Sequence, residues 1–188
     1  MFFDKHKFAF AEHLESNWLL IRQELEQLQE TDFISWPEKF LYEKGWNVFG
    51  LYAFGKKLNY SCQLFPETTR LVEMIPGIVT AGFSSLRPGT HIKPHVGYSK
   101  AVLRCHLGLI VPEECTLRVG NETRNWQEGK CFIFDDTVEH EAWNRGDKTR
   151  IVLLIDFKNP SATLNHQSQM ACPDEIAKFI RNLTHSTA

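Results

Sequence analysis

From Ile78 to Phe157 the chain is a succession of short runs rich in β-branched and aromatic residues, separated by Gly, Pro and Asn turns. They are IVTAGFSSL, AVLRCHLGLIV, CTLRVG, KCFIFDD, HEAWN and TRIVLLIDF. Strands of this length and spacing predict an antiparallel sandwich or barrel and speak against a βαβ sheet.

The flanks read as helical. Between Phe10 and Glu30, Leu14, Trp18, Ile21, Leu25 and Leu28 recur at three- and four-residue steps, which predicts one amphipathic helix packed outside the core. Ser35-Trp36-Pro37 breaks that pattern, and a second short helix is expected from Pro66 to Met74, before Pro76. After the polar stretch Lys158 to Cys172, Pro173 opens a closing helix with Ile176, Phe179, Ile180 and Leu183 on one face. The chain of 188 residues is long enough for one domain with a sizeable core. The expected layout is a single domain over 1–188. It has a helical part over about 1–76, a β core over about 78–157 and a helix over about 173–184.

Composition removes several function classes. The formal net charge is −2 and the longest basic doublet is Lys56-Lys57, so no basic excess points to nucleic acid or an anionic membrane surface. No apolar run approaches the roughly 20 residues of a membrane span. The start, MFFDKHKFAF, carries Asp4 and lacks the long apolar core of a secretory signal. The five cysteines are odd in number and form no CxxC pair. A reducing, cytoplasmic setting is expected, with no disulfide framework and no cysteine zinc site.

Alternate side chains of a strand share a face. In VLRCHLGLI one face carries Leu103, Cys105, Leu107 and Leu109, and the other Val102, Arg104, His106, Gly108 and Ile110. The first is core. The second is either the solvent side of a sheet or the lining of a site. In TRIVLLIDF both faces are apolar at the centre, so the strand is expected to be buried on both sides with Arg150 at its entrance. A buried arginine cannot shed its charge and must be paired. An Asp or Glu of the protein would serve. So would a small dicarboxylate gripped at its two ends by two arginines.

Histidine adds a third sign. His6, His13, His166 and His185 fall in helices or tails, whereas His91, His95, His106 and His140 fall in the strand-rich region. In HIKPHVG two histidines stand four apart, but Pro94 argues against a helical metal pair. On an irregular loop one of them suffices as a ligand. Its distant partner would be His140, beyond FIFDD, where an apolar strand ends in Asp135, Asp136 and Glu139. Two histidines so spaced are the layout of a non-haem Fe(II) site. Such a site normally adds a carboxylate two residues after the first histidine, where this chain has Gly97.

RPGTHIKPHVG, LRCHLGLIVP, NETRNWQEGKCFIFDDTVEHEAWN and TRIVLLIDF together resemble the aspartyl/asparaginyl β-hydroxylase family. The resemblance is dense from Phe83 to Phe157 and thinner through NWLLIRQEL and LYEKGWNVFGLY. It implies a mainly β fold with flanking helices around a double-stranded β-helix (jelly-roll, cupin-like) core. It implies Fe(II) as metal, 2-oxoglutarate as cosubstrate and O2 as oxidant, with hydroxylation of an unactivated C–H bond. His95 and His140 would hold the iron. Arg150, helped by Ser84, would take the distal carboxylate of 2-oxoglutarate. Arg104 and His106 would meet its other end and the edge of the substrate pocket. His91 would support the site from behind. In the members most like this chain a glycine stands at the carboxylate position. Asp136 or Asp135 could then hold an iron-bound water by a hydrogen bond.

One position departs from the pattern. Relatives acting on Asp or Asn in protein domains tend to carry an arginine where this chain has Val102. An aspartyl or asparaginyl group, another small amino acid, a peptide, a carrier-bound group and an acyl chain therefore all stand as substrates. The family also includes lipid A hydroxylases, but without a membrane-spanning segment a membrane lipid is the less expected choice. Two rivals stand beside hydroxylation: a halogenase placing chloride in the position opened by Gly97, and a jelly-roll binding module without catalysis.

Overall fold

A computed structural model describes residues 1–162 and Lys178. In chain order the first part comprises β1 (Phe2–Phe3), α1 (Ala9–Ser16), α2 (Trp18–Leu25), β2 (Ile34–Ser35), β3 (Trp46–Ala53), β4 (Lys56–Lys57), α3 (Asn59–Leu64) and α4 (Pro66–Glu73). The second part is all strand. It runs β5 (Ile78–Leu86), β6 (His91–His95), β7 (Val102–Ile110), β8 (Cys115–Val119), β9 (Glu122–Asn125), β10 (Cys131–Phe134), β11 (His140–Asn144) and β12 (Arg150–Lys158).

These strands form two sheets. The larger has the order β1-β10-β7-β12-β5-β3-β2, with β4 against β3, and the smaller the order β6-β11-β8-β9. From β5 onward the chain passes back and forth between them, and the strand pairs are antiparallel. That alternation makes the core a double-stranded β-helix, the jelly-roll expected from the sequence.

Two cores follow from two faces of the large sheet. Outside, Leu103, Cys105, Leu107 and Leu109 of β7 pack with Ile21 and Leu25 of α2 and Leu71 of α4. Inside, Leu86, Val152 and Phe134 meet Ile92, Leu117 and Ala142 from the small sheet. β12 contributes Leu153 and Ile155 to the first core and Val152 to the second, so it is buried on both sides as expected. The second face of β7 is not the solvent side of the sheet. It lines the space between the sheets, where His106 is buried.

The helical flank differs from expectation. The single helix expected over Phe10–Glu30 is two, α1 and α2, broken at Asn17, whose backbone leaves helical geometry at φ −114° and ψ 12°. The Asn17 side-chain amide donates to the carbonyl of His13 at 2.8 Å, the local competition that makes asparagine a poor helix-interior residue. Nor is the region over about 1–76 wholly helical. It supplies β3, which pairs with β5 from Trp46↔Leu86 to Tyr52↔Ala81 and widens the large sheet. Gly50 and a register shift between Gly50 and Tyr52 interrupt the alternation that would have marked this strand. The helix expected at Pro66 is α4, and α3 precedes it. The helix over about 173–184, with His166, Cys172 and His185, lies outside the described residues apart from Lys178.

Cys62, Cys105, Cys115 and Cys131 are buried free thiols. Among the described residues no helix is long and apolar enough to cross a membrane.

One buried carboxylate ties the helices together. Glu24 of α2 accepts from the backbone N–H groups of Glu67 and Thr68, each at 2.8 Å, and from the Thr68 hydroxyl at 2.7 Å. It thereby satisfies donors that the first turn of α4 leaves without intrahelical partners. Glu24→Ala should lower the unfolding free energy by about 2 kcal/mol with little change in the urea m-value. Equilibrium urea denaturation measures both.

Candidate active site

The site begins with a break in the period of β6. Along β11, His140 and Ala142 pair with His95 and Ile92, so three residues of β6 span what two span on β11. This β-bulge takes up one residue beside Pro94. Its consequence is a change of phase: His95 falls on the inner face together with Ile92, while His91 pairs with Trp143 on the outer face. Pro94 is tolerated because β6 is the edge of its sheet, where a missing N–H goes unnoticed. HIKPH is therefore a bulged strand and not the irregular loop expected.

His95 and His140 consequently stand side by side, with ring centroids 4.1 Å apart. His95 Nδ1 lies 2.7 Å from the carbonyl of Lys93, and His140 Nδ1 lies 3.0 Å from the carbonyl of Val138. A carbonyl only accepts, so each Nδ1 carries the proton and each Nε2 is left with a lone pair. That is the tautomer and the backbone anchoring a metal ligand requires. Burial holds both rings neutral, moving His95 below its ordinary value and His140 down to about 3, with the neighbouring ring and Arg104 adding to the effect on His140.

Among the described residues no third His, Cys, Asp or Glu joins them as a metal cluster. The reason is visible at Gly97. A Cβ built there would lie 2.3 Å from Asp136 Cγ and Oδ2. The Asp136 carboxylate occupies the volume that a side chain at 97 would need. The Gly97 N–H also donates to the Asp136 carbonyl at 2.7 Å, which fixes the two segments together. Burial pushes the Asp136 carboxyl up to about 6, opposed by Arg104, whose Nη2 lies 3.3 Å away.

Deeper in the barrel sits Arg150, 1% exposed. Its Nη1 donates to the Ser84 carbonyl at 3.1 Å, and its guanidinium lies 4.5 Å from the centre of the Trp126 ring. Among the described residues no carboxylate pairs with it, and desolvation lowers it to about 9. Ser84 faces the same interior, with its hydroxyl accepting from Trp46 Nε1 at 3.2 Å. His106 stacks on Trp126 at 6.0 Å and meets Phe134 edge-on at 5.3 Å; burial, reinforced by Arg150 and Arg104, keeps it neutral.

The interior is thus lined by polar atoms without partners. Of the six such buried side-chain atoms found, five belong to this space: Arg150 Nε, both ring nitrogens of His106, Trp126 Nε1 and Asp136 Oδ1. Native interiors rarely leave such groups unmet unless a ligand, ion or water meets them. An anion with several acceptors beside the histidine pair would satisfy Arg150, Trp126 and His106 together.

Arg104 is placed otherwise. Its Nε and Nη2 fork onto Asp156 at 2.7 and 3.0 Å, and Asp136 flanks it. The two carboxylates raise it above its ordinary value despite burial. The structural ion pair considered for Arg150 is thus made by Arg104. His91 lies outside the barrel, stacked on Trp143 at 5.1 Å with Nε2 2.9 Å from Glu141, which Arg118 also grips at 2.5 Å. It braces the strand carrying His95 and does not reach the histidine pair. Asp135 turns away, accepting from Thr137.

Sequence reasoning passed over Asp156 and Trp126. Asp156 stands directly opposite Arg104 in the β12–β7 register, which only the strand alignment reveals. Trp126, a lone aromatic in the polar segment NETRNWQEGK, carried a usable signal. A cavity of about 500 Å3 opens from His95, Arg104 and Asp136 to the surface.

A family model described as aspartyl/asparaginyl beta-hydroxylase matches residues 15–160. The chain is 43% identical over 169 residues to an ornithine lipid ester-linked acyl 2-hydroxylase of Rhizobium tropici, covering 84% of this chain and 60% of that protein. It is 40% identical over 161 residues to the human aspartyl/asparaginyl beta-hydroxylase, covering 80% of this chain and 21% of that one. It therefore spans less than two thirds of the length of either. Among solved structures, the cupin domain of Schizosaccharomyces pombe Cnp3 aligns with a TM-score of 0.44 at 14% identity, over 71% of this chain and 77% of that one.

Two outcomes follow from the packing and the charges. Gly97→Ala should destabilise by about 1–3 kcal/mol through overpacking against Asp136. In an Asp136→Ala background, which removes the clashing atoms, most of that cost should vanish; a double-mutant cycle by denaturation measures the coupling. The second concerns pH. His95, His106 and His140 titrate lower when folded than when unfolded, so below about pH 6.5 the unfolded chain binds more protons and stability falls. Asp136, raised when folded, acts in the opposite sense between about 6 and its ordinary value. Unfolding of the metal-free protein near pH 5 should take up protons net, so the unfolding free energy should rise with pH there, a slope that pH-dependent denaturation measures.

Proposed function

The chain belongs to the aspartyl/asparaginyl β-hydroxylase family, and from that premise we propose that it is an Fe(II)- and 2-oxoglutarate-dependent dioxygenase that hydroxylates an unactivated C–H bond. The observation that carries the reading is a preformed histidine pair and, linked to it through the rings of Trp126, His106 and Phe134, a buried arginine that has no carboxylate partner among the described residues. Relatives are named for acyl-lipid and for aspartyl/asparaginyl hydroxylation, so membership supports the class of reaction ahead of the substrate.

The residues fit the absent groups. His95 and His140 would hold Fe(II) through their Nε2 atoms, and Asp136 stands where the usual third carboxylate side chain would be. Fe(II), when bound, supplies the redox chemistry by which O2 oxidises cosubstrate and substrate together. Arg150 would fix the distal carboxylate of 2-oxoglutarate, with the Ser84 backbone holding the guanidinium in place. His106 and Trp126 offer donors deep in the barrel. Phe134 and Trp126 keep water from this region. Asp136, its carboxyl pushed up to about 6, could accept a hydrogen bond from a water on the iron when ionised or donate one to it when protonated. The same carboxylate disfavours the halogenase reading, because chloride in the Gly97 position would sit against a like charge. The unmet donors and the anchored histidines favour an enzyme over an inert jelly-roll module.

Anaerobic titration with Fe(II) and 2-oxoglutarate should give the visible charge-transfer band of the iron–ketoacid complex, and His95→Ala or His140→Ala should abolish it. Arg150→Met should keep Fe(II) binding but weaken 2-oxoglutarate by about 100-fold, the loss of a buried charged contact. Asp136→Ala should lower Fe(II) affinity by about 10- to 100-fold. A wild-type protein without the band, or an Arg150→Met variant that binds 2-oxoglutarate normally, would sink the reading.

A further inference from the structure

Arg150 has a counterpart of opposite sign nearer the surface. Glu38 is 5% exposed and stands on the wall of the cavity that opens from His95. Its Oε2 accepts from Trp36 Nε1 at 2.9 Å, and its Oε1 accepts from the Tyr98 hydroxyl. Both donors are neutral. Among the described residues no Lys, Arg or His forms an ion pair with it. A buried carboxylate that is hydrogen-bonded but not neutralised still favours a cation beside it.

The charges on the same wall do not supply one. Asp156 fills the fork of Arg104 at 2.7 and 3.0 Å, and Asp136 lies 3.3 Å from the same guanidinium. One arginine thus serves two carboxylates, and Asp136 Oδ1 is still without a hydrogen-bond partner. Lys93 also lines the cavity, but it is exposed and its charge is screened by solvent, whereas Glu38, Asp136 and Asp156 are buried. Loading the site does not change the balance, because Fe(II) and a doubly ionised 2-oxoglutarate cancel in formal charge. An acidic group entering here would meet mainly like charge. The rings beside Glu38 suit a cation as well. Trp36 stacks on Trp46 with ring centroids 5.0 Å apart, and Phe40 and Tyr98 stand at the mouth. The negative face of an aromatic ring attracts an ammonium group, most strongly in tryptophan.

We propose that the cavity takes a substrate bearing a protonated amine, with Glu38 as the residue that determines this specificity: its carboxylate receives the ammonium group, and the rings around it take the attached carbon skeleton. Glu38 and His95 line one cavity, so the skeleton of an amine held at Glu38 leads toward the histidine pair. The amine's role as substrate rests on the oxygenase reading above; its binding does not.

Binding of hexylamine, hexanol and hexanoate to the metal-free full chain at neutral pH, followed by tryptophan fluorescence, separates charge from shape. The amine should bind about tenfold tighter than the alcohol, and the carboxylate weakest of the three. Glu38→Gln keeps the shape and removes the charge. It should bring the amine down to the level of the alcohol and leave the alcohol's own affinity within about twofold. Tyr98→Phe, which spares the carboxylate, should retain the amine's advantage. Equal affinities for the three probes in the wild type, or an amine advantage that survives Glu38→Gln, would overturn the site. If Glu38→Gln does not fold, the wild-type comparison decides alone. With Fe(II), 2-oxoglutarate and O2 supplied, hexylamine should raise succinate formation above the level without added substrate. Stimulation by hexanoate or by an aspartyl peptide, with hexylamine inert, would overturn the amine as substrate. Absence of the iron–ketoacid band would remove the oxygenase reading, and with it the amine's role as substrate, and leave the metal-free binding to decide the amine site.

Discussion

A guanidinium that cannot lose its charge, buried in a barrel without a carboxylate, is costly unless something meets it. Arg150 is held by one backbone carbonyl and by the face of Trp126. Neither supplies a counter-charge. The jelly-roll must therefore be strong enough elsewhere to carry this burial, and it is: β12 is clamped between β5 and β7 along its length and buried on both faces. Around Arg150 both ring nitrogens of His106 and the Trp126 Nε1 are unpaired as well. The fold holds them in fixed positions before any ligand arrives, which is the preorganisation that anion binding and oxidative chemistry both exploit.

The two arginines on this interior show how pairing divides labour. Arg104 and Arg150 each occupy a strand of the large sheet, yet Arg104 has Asp156 opposite it and Asp136 beside it. Its charge is spent within the protein, where it organises the inner end of the cavity. Arg150 keeps its charge available. A single cross-strand register decides which is which.

Much of this was legible in the chain. β5 and β11 run over IVTAGFSSL and HEAWN, two of the runs that composition and flanking turn residues marked, because β-branched and aromatic side chains suit a pleated, half-buried surface. The pairing of His95 with His140 was legible through motif and resemblance. The failures share a cause. In β6 the bulge shifts the period by one residue, so the two histidines of HIKPH part to opposite faces although their spacing would put them on one. In β3 a glycine and a register shift erase the alternation. Asn17 breaks a helix whose apolar stripe continues across it. The Asp156–Arg104 pair joins residues 52 apart and exists only once β7 and β12 are aligned. Sequence periodicity records faces; it does not record where a face changes phase.

The crowding at Gly97 has a consequence for descent. A carboxylate carried on position 97 and one carried on position 136 compete for one volume. Adding an acid at 97 while Asp136 remains overfills it; removing Asp136 first leaves the pocket with neither. The three-ligand and two-histidine arrangements are therefore separated by an intermediate that is either strained or impaired, and single substitutions do not connect them smoothly. Such a barrier ties the two positions together: with the acid in the loop between β10 and β11, every change at 97 is judged against Asp136, and placing an acid at 97 requires both positions to change together.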